Sequence, residues 1–512
     1  MLTMGNMIRQ NASKLKDKTA VIFQGKTFSY KQLNERANRL ANAFKARGYE
    51  KGDKVAVLMK NNAAYVDIIV GLSKIGVVIV PMNYRLVGRE IEYILQNSDS
   101  RGLILSSEYE KELDSIQSVA ELDTILVVGG TSQAERLDYE SFLLSGSEEE
   151  PVAEVNELDT FYMGYTSGTT GKPKGVVISQ RSRMLTGMAA AIEYKIDESD
   201  VHLCAGPIYH AAPWIFLVMQ LIVGGTVVIH ETFNAEQVLA DIEENRITNA
   251  FLAPTMYSFI TNVKEDVRMK YDLSSIRVLI SAGSPLATKS KEDILAFFPR
   301  VELHEFYGST ESAITLNIKP KDIENKERSV GLPFPLVDCI ILDENKQRVK
   351  QGEIGELYFK GPYLLDEYYK NPDDTKASSY EGYFSVGDMA MQDEEGFYYI
   401  VDRKKDMLIS GGVNIYPRDI EEVLYTHPDI MDVAVIGVPH PVWGEAVEAI
   451  VVPREGKTLT EQDVIEFCEG KMAGYKKPKS VSFLTELPRN PSGKILKTSL
   501  RDQYWKHETT KI

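Results

Sequence analysis

Between Tyr165 and Gly175 the chain reads Tyr165-Thr-Ser-Gly-Thr-Thr-Gly-Lys-Pro-Lys-Gly175, followed at once by the apolar run Val176-Val-Ile178. Gly168, Gly171 and Gly175 let a backbone turn several N–H groups toward one anion. Thr166, Ser167, Thr169 and Thr170 add hydroxyl donors, and Lys172 adds charge that can be aimed at phosphate oxygens. The chemistry is that of a polyphosphate cradle. It is not the common P-loop, which needs four residues between its glycines and a Ser or Thr after the Lys. Here only Thr169 and Thr170 separate Gly168 from Gly171, and Pro173 follows Lys172.

Other short segments carry complementary chemistry. Tyr307-Gly-Ser-Thr-Glu311 offers an aromatic face, a close-approach glycine, hydroxyls and a carboxylate, which suits a nucleotide and also suits a plain β-turn. Ser281-Ala-Gly-Ser-Pro285, with Gly283 and Ser284, reads as a strand-to-helix turn. Asp388 can accept two hydroxyls at once as a bidentate carboxylate, or cap a turn. Arg403 suits a phosphate or a surface ion pair, and His210 in Ile208-Tyr-His-Ala-Ala-Pro-Trp214 suits a pocket wall or a packed core position. Lys494 stands on the Gly/Pro-punctuated segment Pro488-Arg-Asn-Pro-Ser-Gly-Lys494.

The glycine loop closely resembles the phosphate loop of the adenylate-forming superfamily of acyl-CoA synthetases, amino-acid-adenylating domains and luciferases, and the other segments follow it in that family's order as far as Lys494. The resemblance implies ATP, Mg²⁺ and coenzyme A as ligands. Gly308 and Tyr307 would line adenine with Ser281, Gly283 and Ser284, Thr310 would meet the α-phosphate, and Glu311 would hold Mg²⁺. Asp388 and Arg403 would take the ribose, and Lys494 would bridge carboxylate and α-phosphate during adenylation. Lys405 falls at the family's hinge, where many relatives have Asp, and Gly411 and Gly412 would pass the pantetheine arm. His210 would line the carboxylate pocket and the thiol route. Amino-acid-adenylating relatives have Asp there, so His210 argues against an ammonium-bearing substrate. The implied reaction joins a carboxylic acid, a medium- or long-chain fatty acid by preference, to coenzyme A through an acyl-adenylate. An aryl acid, transfer to a carrier protein, or a non-catalytic nucleotide or lipid binder are the rivals.

Elements must hold these residues. Val55–Leu58, Val77–Val80, Gly102–Leu105, Thr226–Ile229, Ala250–Leu252 and Arg277–Ile280 read as buried strands, and Leu33, Ala37, Leu40, Ala41 and Phe44 form a helical stripe ending at Gly48. Such alternation predicts an α/β fold: a large N-terminal domain of parallel sheets with helices. Glu356–Phe359, Gly382–Phe384 and Gly396–Ile400 read as an antiparallel β subdomain. Beyond Asp402-Arg-Lys-Lys-Asp406 a small α+β domain follows, with helices near Arg418–Leu424 and Glu461–Gly470 and strands near Val433–Val438 and Ala449–Val452. The expected division is 1–402, binding AMP and the acyl substrate, and 403–512, mobile and catalytic. The apolar segments Trp214–Val223 and Met256–Phe259 are expected to line the acyl site.

The 512 residues exceed one simple core, and the net charge of −16 excludes a nucleic-acid partner while leaving room for locally cationic ligand sites. Three scattered cysteines without metal spacing predict reduced thiols in a cytoplasmic protein. Met1–Lys18 lacks an apolar core region and no 18-residue apolar run exists, so neither a signal peptide nor a spanning helix is expected. Peripheral membrane contact and a homodimer stay open.

Overall fold

The computed structural model describes residues 1–166, 173–410, 413–489 and 495–505. The chain divides into two units: residues 1–338 with 359–384, and residues 339–358 with 385–512.

In the first unit the β-branched runs pair as parallel strands. One sheet of eight described strands has Thr160–Thr166, Val78–Met82, Lys54–Leu58, Ser100–Ser106 and Thr124–Val128 side by side in parallel. Lys174–Ser179 returns antiparallel against Thr160–Thr166, so the two strands flank the glycine loop as a hairpin rather than as another parallel repeat. A second sheet of nine described strands has Glu302–Ser309, Val278–Ser281, Asn249–Phe251, Val201–Cys204 and Thr226–Ile229 in parallel order. The strands sit within one or two residues of the expected runs.

Helices Gln180–Glu193 and Ala211–Ile222 lie between these sheets. They approach closely at Gly187, where a Cβ would meet Ile222 Cδ1 at 2.9 Å. One side of the pair packs Tyr194, Phe216 and Met219 against Phe251, Ile280 and Phe306 of the second sheet. The other sets Trp214 against Tyr162, with ring centroids 4.9 Å apart, and against Phe161 and Tyr65. Helix Tyr30–Ala46 carries the predicted stripe, started by a Ser29–Gln32 capping box.

In the second unit Asp388–Gln392 runs antiparallel to Gly355–Lys360 and to Tyr398–Arg403. The long antiparallel pair Ile430–His440 and Gly444–Pro453 is joined by Leu408–Ser410 on one edge and, in parallel, by Ser480–Phe483. Helices Pro417–Tyr425 and Glu461–Phe467 cover it. The second helix stops three residues short of the expected Gly470, because Cys468 already closes it with a tightened N–H bond to Ile465. Cys204, Cys339 and Cys468 are buried, and none is in a disulfide. No described helix is long and apolar enough to cross a membrane.

Candidate active site

In parallel sheets the carboxyl ends of strands gather ligands, because each crossover returns its chain to the opposite edge. Val201–Cys204 leads toward His210, Val278–Ser281 ends in the Ser281–Ser284 turn, and Glu302–Ser309 ends in Thr310 and Glu311. Three of the expected segments therefore lie along one edge of one sheet.

The turn after Glu302–Ser309 is tightly built. The strand register slips between Tyr307 and Gly308, and a Cβ at Gly308 would stand 1.8 Å from the Ala313 carbonyl oxygen. Only glycine fits there. Ala313 itself takes a left-handed backbone, φ +57°. Ser309 and Ser312 hydrogen-bond to each other, the Glu311 carbonyl accepts from Leu365 N–H at 2.7 Å, and the Thr310 carbonyl accepts from Arg183 Nη2 at 3.3 Å. With their carbonyls held from outside, Thr310 and Glu311 keep fixed positions.

Glu311 is buried, and its Oε1 accepts the Tyr368 hydroxyl at 3.0 Å. Burial and the Glu311 charge both push the Tyr368 phenol up, so it stays a donor. Its second oxygen has lone pairs for a cation. Among the described residues no cluster of three metal-ligating side chains exists. That donor set does not make a closed calcium-type cage, but it fits Mg²⁺, which characteristically takes one or two carboxylates plus phosphate oxygens and water.

Thr166 ends the strand before the glycine loop and is half-buried, whereas Ser167, Gly168, Thr169, Thr170, Gly171 and Lys172 lie outside the described residues. Lys174, the loop's other cation, pairs with Asp374, and its ammonium sits 5.1 Å from the centroid of the Tyr368 ring. Lys174 is thus occupied with structure. Ser281 is fully buried with an Oγ that meets no partner, while Gly283, at φ +95°, and Ser284 are exposed.

His210 occupies the N-cap position of Ala211–Ile222 without making a side-chain cap bond. Its ring lies 4.2 Å from that of Tyr209. The side chain keeps partial surface exposure, but Nε2 is sealed from solvent and has no partner. The sealed nitrogen governs protonation: burial, helped by the nearby Arg85 charge, lowers the pKa to about 4. The ring is therefore neutral at physiological pH and gains charge only as pH falls toward 4. We expect His210→Gln to leave the shape of the kcat/KM–pH profile unchanged between pH 5.5 and 7.5. A limb near 6.5 present with His210 and absent in the variant would contradict this protonation state.

Trp214 departs from expectation. It is fully buried among Tyr65, Phe161 and Tyr162, on the face of its helix turned from the Phe251–Phe306 cluster. Phe259, expected beside the acyl chain, is 64% exposed and packs on Phe233, whereas Tyr257 faces the core with its hydroxyl on the Ile280 carbonyl.

In the second unit the register of the strands pairs Asp388 with Arg403, and Nε meets Oδ1 at 3.3 Å. The two residues expected at the ribose are thus neighbours. Asp402 accepts Arg403 N–H and Arg418 N–H, and burial pushes its carboxyl up. Lys405 is exposed, and its carbonyl accepts Arg501 Nη1 at 2.8 Å. Arg489 and Ile495 bridge antiparallel at the two ends of the segment carrying Lys494. Gly411, Gly412 and Lys494 lie outside the described residues. One feature had no motif to announce it. Trp443, 40% exposed, stacks on His440 at 4.3 Å with the Lys479 ammonium 5.2 Å from its ring centroid. An exposed indole beside an ammonium suits a purine and its phosphates; the sequence signal was a tryptophan beside Gly444.

Comparison with known proteins gives the family. Residues 8–369 match the AMP-binding enzyme family and residues 419–494 its C-terminal domain. The chain is 34% identical to a feruloyl-CoA synthase of Amycolatopsis sp, covering 95% of this chain and 96% of that one. It is 34% identical to the long-chain-fatty-acid–CoA ligase FadD13 of Mycobacterium tuberculosis, over 98% and 99% of the two chains. The solved anthranilate CoA ligase AuaEII in complex with anthranoyl-AMP superposes with a TM-score of 0.90 at 26% identity, over 98% of this chain and 97% of that one. The chain, matched over residues 8–369 and 419–494, belongs to the AMP-binding enzyme family, the adenylate-forming superfamily.

Proposed function

We propose that this enzyme activates an apolar carboxylic acid, a medium- or long-chain fatty acid by preference, with the residues placed above. It is an AMP-forming acid–CoA ligase that works through an acyl-adenylate. The observation behind the choice of acid is the wall beyond His210. Ala212, Ile215, Phe251, Ala282, Phe306 and Ala313 form one apolar cluster where the Ala211–Ile222 helix faces the ends of the parallel strands. Every member of that cluster is apolar, and neutral His210 supplies no counter-charge to an ammonium.

In the first half-reaction a carboxylate oxygen attacks the α-phosphorus of ATP and pyrophosphate leaves. Two anions must approach, and unit charges about 4 Å apart repel by roughly 4 kcal/mol at an intermediate dielectric. Lys494 offsets that repulsion, the glycine loop with Lys172 holds the leaving phosphates, and the Thr310 hydroxyl donates to the α-phosphate. When bound, Mg²⁺ neutralises developing charge, and Glu311 is the residue to hold it. In the second half-reaction the thiol sulfur attacks the acyl carbonyl, the C–O bond to phosphate breaks, and AMP leaves. The mobile part begins near Lys405, so that turning it exchanges Lys494 for the Gly411–Gly412 segment. The His440–Trp443 stack with Lys479 takes the coenzyme A nucleotide.

Asp388→Asn should raise KM for ATP by ~10-fold or more with a smaller change in KM for the acid, because hydrogen bonds to a charged group contribute about 1.5–3 kcal/mol. Equal changes in both KM values would remove Asp388 from the ribose. The acid is identified by incubating the enzyme with Mg·ATP, coenzyme A and acids from acetate to palmitate and benzoates, with AMP and thioester read by mass. An optimum among the longer alkyl chains supports the proposal. A benzoate optimum makes it an aryl-acid ligase, AMP without thioester points to a carrier-protein acceptor, and silence throughout would overturn it.

A further inference from the structure

Arg183 lies in the first turn of the Gln180–Glu193 helix and is only 1% exposed. A buried guanidinium is normally neutralised by a carboxylate. This one has none. Nη2 donates to the Thr310 carbonyl at 3.3 Å, the guanidinium carbon stands 5.4 Å from the centroid of the Tyr162 ring, and Nε and Nη1 meet no partner. Burial lowers its pKa to about 10, so the charge persists at physiological pH. The bond to the Thr310 carbonyl puts the unneutralised cation beside the Thr310–Glu311 turn.

For stability alone the arrangement is poor. An apolar side chain of similar length fills the same space without the desolvation cost, and such replacements of buried ionic groups are often neutral or stabilising. We propose that Arg183 is a positioning residue for adenylation. It fixes the turn presenting Thr310 and Glu311 through the Thr310 carbonyl, and its uncompensated charge favours the approach of the acid's carboxylate to the α-phosphate. The inference rests on the placement of Thr310 and Glu311 at the adenylation centre. Sites that keep a cation at the expense of stability trade folding free energy for chemistry.

Arg183→Met and Arg183→Lys test it in the full chain, with acid-dependent ATP–pyrophosphate exchange, thioester formation from supplied acyl-adenylate, and thermal unfolding. Arg183→Met should unfold at the wild-type temperature or above. Its exchange kcat should fall ~10²-fold with KM for the acid changed by less than about threefold, and thioester formation should be spared. Arg183→Lys should keep activity at neutral pH and lose it as pH rises, since a buried lysine deprotonates below its usual range. Wild type lacks that alkaline limb. Wild-type exchange in Arg183→Met overturns the proposal, as does equal loss in both half-reactions with a lowered unfolding temperature. Should Arg183→Met not fold, an Arg183→Lys profile identical to wild type overturns it. Glu311→Gln measured alongside separates the layers: if that variant exchanges normally, the placement of the turn is wrong, and the inference falls with it.

Discussion

Lys494→Ala should reduce acid-dependent ATP–pyrophosphate exchange by ~10³-fold or more while leaving thioester formation from supplied acyl-adenylate within about threefold. The asymmetry follows from charge. Only adenylation brings a carboxylate against a phosphate. Attack of the thiol on an acyl-adenylate begins after that repulsion has been overcome. The segment carrying Lys494 is closed at its base by the Arg489–Ile495 bridge and by Leu496 N–H donating to the Pro488 carbonyl at 2.8 Å, so removal of one side chain should leave the neighbouring fold intact. Equal losses in both half-reactions would contradict an exchange of surfaces between the two steps.

Glu311→Gln should lower adenylation kcat ~10²–10³-fold, the order seen when one preorganised electrostatic group at a reacting centre is removed. It should also raise the Mg²⁺ concentration needed for half-maximal exchange. The amide keeps the size of the side chain and can still accept the Tyr368 hydroxyl at its present 3.0 Å, so stability should change little. What is lost is the charge on the second oxygen. An unchanged Mg²⁺ requirement with reduced kcat would assign Glu311 to holding its turn rather than to the cation. Tyr368→Phe is the companion variant. It removes one hydrogen bond from a buried carboxylate and should cost about 1.5–3 kcal/mol at most.

Much of this was legible in the chain because its signals are local. Short β-branched runs gave the parallel strands, and the Leu33–Phe44 stripe gave a helix. Gly308 is readable as a close-approach glycine, although which backbone it approaches, that of Ala313, is set by a strand register. Contacts between distant segments were not legible. Tyr368 reaches Glu311 only because Glu367–Tyr368 pairs antiparallel with Lys174–Ser179, and the same pairing brings its ring under Lys174. Trp214 looked like pocket lining because composition says apolar without saying which helix face. Its packing against Tyr65, Phe161 and Tyr162, all distant in sequence, is what buries it. No local signal singles out Arg183; the placement of its helix between two sheets buries it.

The most direct test of the central chemistry is to follow the carboxylate oxygen. Acid labelled with ¹⁸O in its carboxylate, turned over with Mg·ATP and coenzyme A, should leave one ¹⁸O in each AMP and none in pyrophosphate, since the oxygen that attacks the α-phosphorus stays there when the acyl C–O bond breaks. Labelled AMP with unlabelled pyrophosphate establishes the acyl-adenylate route. Unlabelled AMP, or label appearing in inorganic phosphate beside ADP, would contradict it.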